Sequence, residues 1–371
     1  MSEMPKKPHK NLSSVAIVGA RGYSGLELAR LLLKHPTANL SACFATDSAW
    51  ALSDYLPEQA AASVPVLEMS HLFSSAHKFK TVFLATPVEV SAELTPKLIA
   101  AGINVIDLSG AFRLKSGTAA ERSQKYKKWY SLDHPCPDQL ADAEYGLIPW
   151  VGPLKKSAAQ ARLISNPGCY ATSVLMAILP LLKEKLIEID SLVIDSKSGT
   201  SGAGRKADES ILFTEVDGEC LPYKVGKHQH LPEMIEAAQE LTGLTIDPFF
   251  TTHLLPVRRG IISGIYARLT SGVTDVSVID QAFQKYYGEY PLVKFGAFSS
   301  DGKKSARQAS LKQVVGSTRT HIHYQLSGNK LFVFSLIDNL LKGAASQAVE
   351  NFNRLEDLPV ATALIEQEGV L

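Results

Sequence analysis

Cysteine is scarce in this 371-residue chain, which contains four, at positions 43, 136, 169 and 220. They are far apart, and no two form a CxxC pair. This pattern argues against a zinc site and against a disulfide framework, because both need cysteines at matched spacings. We expect no metal centre and a reducing, cytoplasmic location.

Long apolar runs and an excess of charge are also missing. No apolar run reaches the roughly 18 residues of a membrane helix, and a short basic segment stands where a signal peptide would have its apolar region. Lys and Arg together number 38 and Asp and Glu 37, so no overall field attracts nucleic acid or an anionic membrane. We therefore expect neither nucleic acid nor a membrane as a partner.

The chain has no internal repeat and is long enough for two domains. In its first half, short apolar runs such as "SVAIVGA" and "TVFLATP" alternate with helical patterns such as "SGLELARLLLKH". This alternation predicts βαβ units and a parallel sheet, with a ligand crevice at the carboxyl ends of the strands. In the second half, longer runs such as "IISGIYARLT" and "KLFVFSLID" predict a large mixed sheet.

A glycine-rich turn follows the first predicted strand, in "VAIVGARGYSGLELARLL". Gly19, Gly22 and Gly25 form a G-x-x-G-x-x-G variant of the dinucleotide fingerprint, between a strand and a helix as that motif requires. Glycines let the backbone approach a pyrophosphate, and the helix N-terminus offers free N–H groups. The first domain is therefore predicted to bind a nicotinamide dinucleotide.

The residues leave the choice between NAD and NADP open. Asp47 stands near the end of the second predicted strand, where an acidic residue binds the ribose 2′-hydroxyl of NAD. Alternatively, Thr46 and Ser48 bind a 2′-phosphate while Asp47 points away. The residues by themselves slightly favour NAD.

The predicted fold class is α/β: a Rossmann dinucleotide-binding domain followed by a second α/β or α+β domain. We place the boundary near Ile164, and a closing helix from about Asn339, capped by Asp338 or by Asn339 itself, is expected to pack back on the first domain. Residues 1–164 and 339–371 then form the nucleotide domain. Residues 165–338 form the catalytic, substrate and oligomerisation domain.

Cys169 follows a Pro-Gly turn in "SNPGCYATS", directly before a helical run. A helix N-terminus stabilises a thiolate and lowers its pKa, so this position indicates a reactive nucleophile rather than an inert buried thiol. Asn166 could donate a hydrogen bond to a developing oxyanion. Cys43 and Cys220 are interpreted as inert.

A thiol nucleophile needs an acid/base partner. His228 and His230, two residues apart in "GKHQHLPEM", are the candidates, and their spacing does not decide between them. His321 and His323 are interpreted as ordinary strand-face residues. No further ligands at metal-site spacing accompany the pair.

Two arginines follow strands and are candidates for anion binding: Arg113 in "DLSGAFRL" and Arg205 in "SKSGTSGAGR". Each could equally be a solvated surface charge. Together with the thiol, the histidines and the dinucleotide loop, they indicate hydride transfer at the acyl or aldehyde level through a covalent thioester.

Six segments occur in the order found in N-acetyl-γ-glutamyl-phosphate reductases of arginine biosynthesis: "VGARGYSGLELARLL", "DLSGAFRL", "SNPGCYAT", "SGTSGAGRKA", "KHQHLPEM" and "DNLLKGAASQAV". The chain resembles this family over nearly its whole length. The resemblance implies the architecture of the aspartate-semialdehyde and glyceraldehyde-3-phosphate dehydrogenases, NADP as cofactor, a small-molecule acyl phosphate as substrate, and a homodimer or homotetramer.

The resemblance also implies the reaction. Cys169 would attack the acyl phosphate of N-acetyl-glutamyl 5-phosphate, and NADPH would reduce the resulting thioester to N-acetyl-glutamate 5-semialdehyde. His228 or His230 would be the acid/base. Arg113 would bind the phosphate, and Arg205 would serve substrate binding or local structure.

Further site residues are carried over by motif. Substrate contacts are implied for Ser109, Arg113, Asn166 and Arg205. Cofactor contacts are implied for Gly19, Arg21, Gly22, Tyr23, Ser24, Gly25, Thr46, Ser48, Pro87, Ser201, Gly202 and Asn339. Two positions depart from the family pattern: Val88 replaces the usual histidine, and Asp47 stands where a residue tolerating the 2′-phosphate is expected.

Two alternatives stay open. One is the reduction of a related acyl phosphate, either aspartyl phosphate or a carrier-linked aminoadipyl or glutamyl phosphate, which needs the same thiol and hydride chemistry. The other is a non-catalytic NADP-binding sensor, which the presence of Cys169 and both loop histidines disfavours.

Overall fold

The computed structural model describes residues 12–152, 161–299, 301 and 307–365. In this part of the chain the strands form two sheets of seven strands each. The first sheet is parallel in every pairing and the second is mixed.

The first sheet has the strand order β3-β2-β1-β4-β5-β7-β6. Its strands are β1 Ser13–Val18, β2 Ala38–Ala45, β3 Val66–Glu68, β4 Thr81–Leu84, β5 Asn104–Asp107, β6 Glu144–Tyr145 and β7 Leu163–Ser165. The helices between them are α1 Tyr23–Lys34, α2 Leu72–Ser75, α3 Val88–Ala100 and α4 Ala119–Tyr130. Strands β1, β4 and β5 are buried along nearly their whole length, as expected for a parallel sheet with both faces covered.

The second sheet has the order β12-β13-β14-β11-β8-β10-β9. Its strands are β8 Val193–Gly199, β9 Leu221–Pro222, β10 Phe249–Leu255, β11 Ile261–Arg268, β12 Val293–Ala297, β13 Thr320–Ser327 and β14 Lys330–Ile337. The later helices are α5 Cys169–Lys183, α6 Phe213–Val216, α7 His230–Thr242, α8 Val276–Tyr287 and α9 Ser346–Leu355.

Helix α5 forms the centre of the core. Every residue from Tyr170 to Leu182 is buried, because one side of the helix packs on β11 and β14 and other sides meet α7 and α8. A helix that is apolar on all sides needs such surroundings to be stable. Its first residue, Cys169, comes four positions after β7 ends, so the passage between the two sheets lies at the Pro-Gly turn.

The closing segment returns to the first domain. Asp338 follows β14, and its carboxylate accepts the backbone N–H groups of Leu340 and Leu341 at 2.9 and 3.1 Å. A wide π-helical turn spans Leu341–Ala345 and continues into α9. Phe352 of α9 contacts the ring of His35, just after α1.

No helix in the described ranges is both long and apolar enough to cross a membrane. No group of three or more His, Cys, Asp or Glu side chains in those ranges is arranged to hold a metal ion.

Candidate active site

A cleft of about 300 Å³ lies where the carboxyl ends of the first sheet's strands meet the start of α5. Both domains and the closing segment contribute to its wall. The lining residues are Gly22, Tyr23, Ser24, Gly25, Ala85, Thr86, Leu108, Gly110, Arg113, Gly168, Cys169, Ser201, Gly202, Gly204, His230, Asn339, Leu340, Gly343 and Ala344. The predicted dinucleotide loop and the predicted nucleophile therefore share one cleft.

The three loop glycines meet different requirements. Gly19 has a φ of +85°, and a Cβ there would collide with the carbonyl of Ala85. A Cβ on Gly25 would lie 2.5 Å from the carbonyl oxygen of Gly19, so this glycine allows the close packing of α1 on β1. Gly22, the N-cap of α1, has no protein atom nearer than 3.5 Å to a Cβ position. The protein leaves that space open beside unsatisfied helix N–H groups, and a pyrophosphate fits it.

Replacing Gly22 by alanine is expected to weaken cofactor binding while the fold is retained. The methyl group would occupy the space for the pyrophosphate, and we expect Kd for the nicotinamide cofactor to rise about tenfold, or about 1.4 kcal/mol. Gly25→Ala is the matched comparison, since its methyl group meets backbone and should lower the unfolding temperature. Calorimetric titration and thermal unfolding of both variants check this. Equal cofactor affinity in Gly22→Ala and wild type would contradict it.

Cys169 is the first residue of α5, with Gly168 as the N-cap. Gly343 lies against it, because a Cβ on Gly343 would come within 2.7 Å of the Cβ of Cys169. Burial raises the pKa of the Cys169 thiol to about 11, although the Arg113 guanidinium and the N–H groups of Tyr170 and Cys169 lower it. The prediction of a lowered pKa is therefore wrong for the free enzyme: desolvation of the thiolate outweighs the helix N-terminus.

Alkylation of Cys169 in the free enzyme is accordingly expected to require alkaline pH. The thiolate fraction should still be rising at about pH 10, since the pKa is about 11 rather than the usual 8.5 or so. Iodoacetamide labelling followed by mass spectrometry, in a Cys220→Ser background that removes the exposed thiol, measures this. A labelling rate that levels off near neutral pH would show a preformed thiolate.

The structure separates the two histidines. His230 lines the cleft, whereas His228 is buried among the rings of Tyr170, Tyr223 and Phe250. His228 Nδ1 accepts the backbone N–H of His230 at 3.1 Å. His228 thus holds the start of α7 in place, and His230 faces the cleft.

His230 is positioned as a neutral base. Arg113 Nη1 lies 3.3 Å from His230 Nε2, and since a guanidinium can only donate, Nε2 is the unprotonated nitrogen. Burial, followed by the charges of His228 and Arg113, holds the pKa of His230 well below its usual value. A Cβ on Gly168 would collide with Nε2, so this nitrogen lies directly against the turn that carries Cys169.

Glu233 organises this part of the site, and the sequence reasoning assigned it no role. Its side chain is fully buried, and Oε1 accepts the Gly168 N–H at 2.7 Å and the Tyr145 hydroxyl at 2.8 Å. Oε2 lies 3.4 Å from Arg113 Nη1. The available signal was its position three residues after His230, in the first turn of α7, where a carboxylate is favoured.

Ser201 and Gly202 of the second domain and Asn339 of the closing segment also line the cleft. Asn339 donates to Ser201 Oγ at 3.0 Å and accepts the Gly260 N–H at 2.8 Å. The adjacent Arg259 binds Asp338 at 2.9 Å and also reaches Glu27 of α1, joining the two domains. Sequence reasoning placed Asn339 at the cofactor but did not identify the Arg259 link.

Two family models match the chain. "Semialdehyde dehydrogenase, NAD binding domain" matches residues 14–156, and "Semialdehyde dehydrogenase, dimerisation domain" matches residues 169–339. An N-acetyl-gamma-glutamyl-phosphate reductase from Brevibacillus brevis is 38% identical over 354 residues, which cover 94% of this chain and 97% of the relative. The chain belongs to the N-acetyl-gamma-glutamyl-phosphate reductase family.

A reductase of the same name from Geobacillus stearothermophilus is 39% identical over 345 residues, covering 92% of this chain and 95% of the relative. The aspartate semialdehyde dehydrogenase II of Vibrio cholerae has a similar structure, with a TM-score of 0.68, 16% identity and coverage of 94% of this chain and 99% of that one. At that identity the likeness shows the fold alone. The resemblance and the fold class predicted from the sequence are both confirmed, and this member of the family is an NAD(P)-dependent oxidoreductase.

Some residues for which the family resemblance implied a site contact do not line the cleft. Arg205 donates to the carbonyl of Arg21 at 2.8 Å and stacks over Tyr55, with 5.0 Å between its guanidinium carbon and the ring centre. Arg21 in turn donates to the Tyr55 hydroxyl at 3.3 Å and lies 3.6 Å from Asp47. Arg205 therefore contacts the glycine loop, and the structure gives it no place beside Cys169.

Asn166 and Ser109 have protein partners. Asn166 is buried, its amide donating to the Ala344 carbonyl and accepting from Asn351, each at 3.1 Å. Ser109 donates to Asp107 at 2.9 Å. Neither lines the cleft, so the geometry does not support the predicted oxyanion contact of Asn166 or a substrate contact of Ser109.

The remaining carried-over cofactor positions stand at the rim of the first domain. Pro87 is the exposed N-cap of α3, and Val88 begins that helix where the family usually has histidine. Thr46 is exposed and Ser48 half-buried just beyond β2. None of these four residues is among those that line the cleft.

Proposed function

We propose that this chain catalyses the NADPH-dependent reductive dephosphorylation of N-acetyl-L-glutamyl 5-phosphate to N-acetyl-L-glutamate 5-semialdehyde, a step of arginine biosynthesis. The observation that carries the proposal is the shared cleft, which Cys169, His230 and the glycine turn Gly22–Gly25 all line. A neutral thiol beside a neutral imidazole suits a nucleophile that is activated when the acyl group arrives.

In the first half-reaction, His230 Nε2 takes the proton from Cys169, and the sulfur bonds to the acyl carbon. The carbon–oxygen bond to phosphate breaks, orthophosphate leaves with its electron pair, and a thioester remains on Cys169. Arg113, whose charge is buried and bound to Glu233, lies at the cleft wall to stabilise the departing anion.

In the second half-reaction, the turn Gly22–Gly25 would hold the dinucleotide, whose reduced nicotinamide would supply the hydride that takes the thioester carbon to the aldehyde level. Protonated His230 then returns its proton to the Cys169 sulfur as the carbon–sulfur bond breaks and the aldehyde forms. Leu340, Gly343 and Ala344 close the cleft beside Cys169 and limit the access of water to the thioester.

NADP as the cofactor is supported by the cluster at the glycine loop. Arg21 donates to the Tyr55 hydroxyl and Arg205 lies over the Tyr55 ring, and two guanidinium groups favour a 2′-phosphate. Asp47, which would repel that phosphate, is paired with Arg21. This pairing supports NADP over NAD despite the acidic residue.

Replacing Arg205 by methionine is expected to raise Kd for NADP about tenfold, because one charge-assisted hydrogen bond to an anion contributes about 1.5 kcal/mol or more. The affinity for NAD, which has no 2′-phosphate, should not change. Titration of wild type and variant with both cofactors measures the difference. A parallel loss of both affinities would assign Arg205 to loop structure alone.

The acetylated substrate is supported by relatives that carry its name at 38–39% identity, whereas similarity to aspartate semialdehyde dehydrogenases is at the level of the fold. The test runs the reaction backwards, because acyl phosphates hydrolyse quickly. Protein, phosphate and NADP are mixed with N-acetyl-glutamate semialdehyde or aspartate semialdehyde, and NADPH absorbance is followed. Phosphate-dependent reduction with the acetylated aldehyde alone is expected.

Activity with aspartate semialdehyde instead would replace the substrate but keep the mechanism. Inactivity with both aldehydes, in a folded protein that binds cofactor, would overturn the proposal in favour of a carrier-linked substrate or a sensor.

We further propose a homodimer or homotetramer formed through the second sheet. The matched dimerisation domain covers this sheet. On its surface the paired residues Val193 and Phe249 are 38% and 77% exposed, and exposed apolar groups of this kind mark interaction sites. Sedimentation at several concentrations distinguishes a monomer from either assembly.

A further inference from the structure

The turn after β14 presses directly on the nucleophile. Asn339, Leu340, Gly343 and Ala344 line the cleft, and Gly343 has no room for a Cβ because Cys169 lies there. The carbonyl of Ala344 also accepts the Asn166 amide, next to the Pro-Gly turn. A displacement of this turn would therefore move the surroundings of the sulfur.

The opposite side of the same turn contains a fully buried ion pair. Lys342 Nζ donates to both Glu350 oxygens at 2.7 and 3.0 Å, to the Tyr290 hydroxyl at 2.7 Å and to the Ile148 carbonyl at 3.4 Å. The Tyr290 hydroxyl donates to Glu350. Lys342 and Glu350 are 0% exposed.

These partners come from three parts of the fold. Ile148 follows β6 of the first sheet, Tyr290 follows α8 of the second domain, and Glu350 belongs to α9. One ammonium group thus connects both domains to the closing segment. The three N–H groups of the Lys342 ammonium form directional hydrogen bonds, which fix the position of the turn. Apolar packing is not directional and would hold the turn less specifically.

The energetics argue against stability as the purpose. Removing two charges from water costs free energy, and replacing a buried ion pair by apolar groups is often neutral or stabilising. The pair also lies on a π-helical turn, a geometry that costs stability and occurs frequently at functional sites.

We propose that Lys342, through Glu350 and Tyr290, is a positioning residue that holds the π-helical turn so that Gly343 and Ala344 keep Cys169 aligned for reaction. This inference rests on the proposed function of Cys169. Lys342 itself does not touch the substrate, because its side chain points away from the cleft into the interior.

The test compares two double variants. Lys342→Met with Glu350→Gln removes both charges and leaves Tyr290 a partner. Arg354→Met with Glu144→Gln removes a second ion pair of α9, 2.9 Å long, that does not contact the turn. For each we would measure kcat and KM in the phosphate-dependent reverse reaction, Kd for NADP, the unfolding temperature and the rate of Cys169 alkylation.

We expect the Lys342/Glu350 variant to stay folded and to bind NADP as wild type does, while kcat falls about 100-fold, as for a misplacement of roughly 1 Å. Its alkylation rate should also change, whereas the Arg354/Glu144 variant should match wild type in kcat, in Kd for NADP and in alkylation rate. A wild-type kcat and alkylation rate in the Lys342/Glu350 variant would overturn the inference.

A third variant, Tyr290→Phe, keeps the ion pair and removes one hydrogen-bonding partner. This variant tests the positioning role if the Lys342/Glu350 variant does not fold. A reduced kcat with an unchanged Kd for NADP would support the positioning role. A wild-type kcat would overturn it. If wild type itself were inactive with both aldehydes, the proposed function would fail instead, and the alkylation rates would still test the effect of Lys342 on Cys169.

Discussion

Cys169→Ser is expected to lower phosphate-dependent turnover by about 1,000-fold or more, since an alcohol at this position is a far weaker nucleophile and a poorer leaving group than a thiol. Cofactor affinity should be unchanged, because the glycine turn that we propose as the dinucleotide site is untouched. Steady-state kinetics in the reverse direction and a cofactor titration check both statements.

Cys220→Ser is the matched control, as Cys220 is exposed and lies outside the cleft. Its turnover should equal that of wild type. If Cys169→Ser retained more than a few per cent of activity, the thioester mechanism would have to be abandoned. Trapping of a labelled acyl group on wild type but not on Cys169→Ser would add direct support.

His230→Asn is expected to lower kcat by about 100- to 10,000-fold, the range for losing a positioned general acid/base. His228→Asn should cost less, because His228 contacts His230 through its backbone N–H and has no place at the cleft wall. The same kinetic assay applied to both variants decides which histidine transfers the proton. A larger loss in His228→Asn would reverse the assignment.

The pH dependence gives a second test of the base. Burial holds the pKa of His230 well below its usual value, so protonation that removes the base begins only when pH falls below the normal histidine range. We therefore expect kcat/KM to show no decline between about pH 8 and pH 6 from this group. A decline with a midpoint near 6.5 would indicate an exposed, unperturbed imidazole.

The sequence by itself predicted the elements on which the cleft depends. Alternating strand and helix patterns predicted the parallel sheet, because hydrophobic periodicity is a local property of the chain. The sequence also predicted the glycine turn and the position of Cys169 at a helix start, because a strand–turn–helix segment determines its own geometry over a few residues. Asp338 as the cap of the closing segment was one of two local candidates.

Properties that depend on packing between distant segments could not be predicted. Which histidine faces the cleft depends on how α7 lies against α5. The raised pKa of Cys169 depends on its burial in the folded chain, where Gly343, some 170 positions away, packs against it. Sequence spacing carries no information on desolvation. The helix N-terminus was therefore the only influence on the pKa of Cys169 that the sequence indicated.

The hydrogen-bond partners of Asn166, Glu233 and Lys342 also depend on packing between distant segments. Asn166 bonds to Ala344 and Asn351, Glu233 holds the Gly168 N–H, and Lys342 reaches two domains. Each polar group is buried, and a buried polar group must take whatever donors and acceptors the tertiary structure brings to it. The sequence therefore determined the family and the proposed nucleophile, while the tertiary structure decided which histidine is proposed as the base, the direction of the thiol's pKa shift and the contacts that hold these groups together.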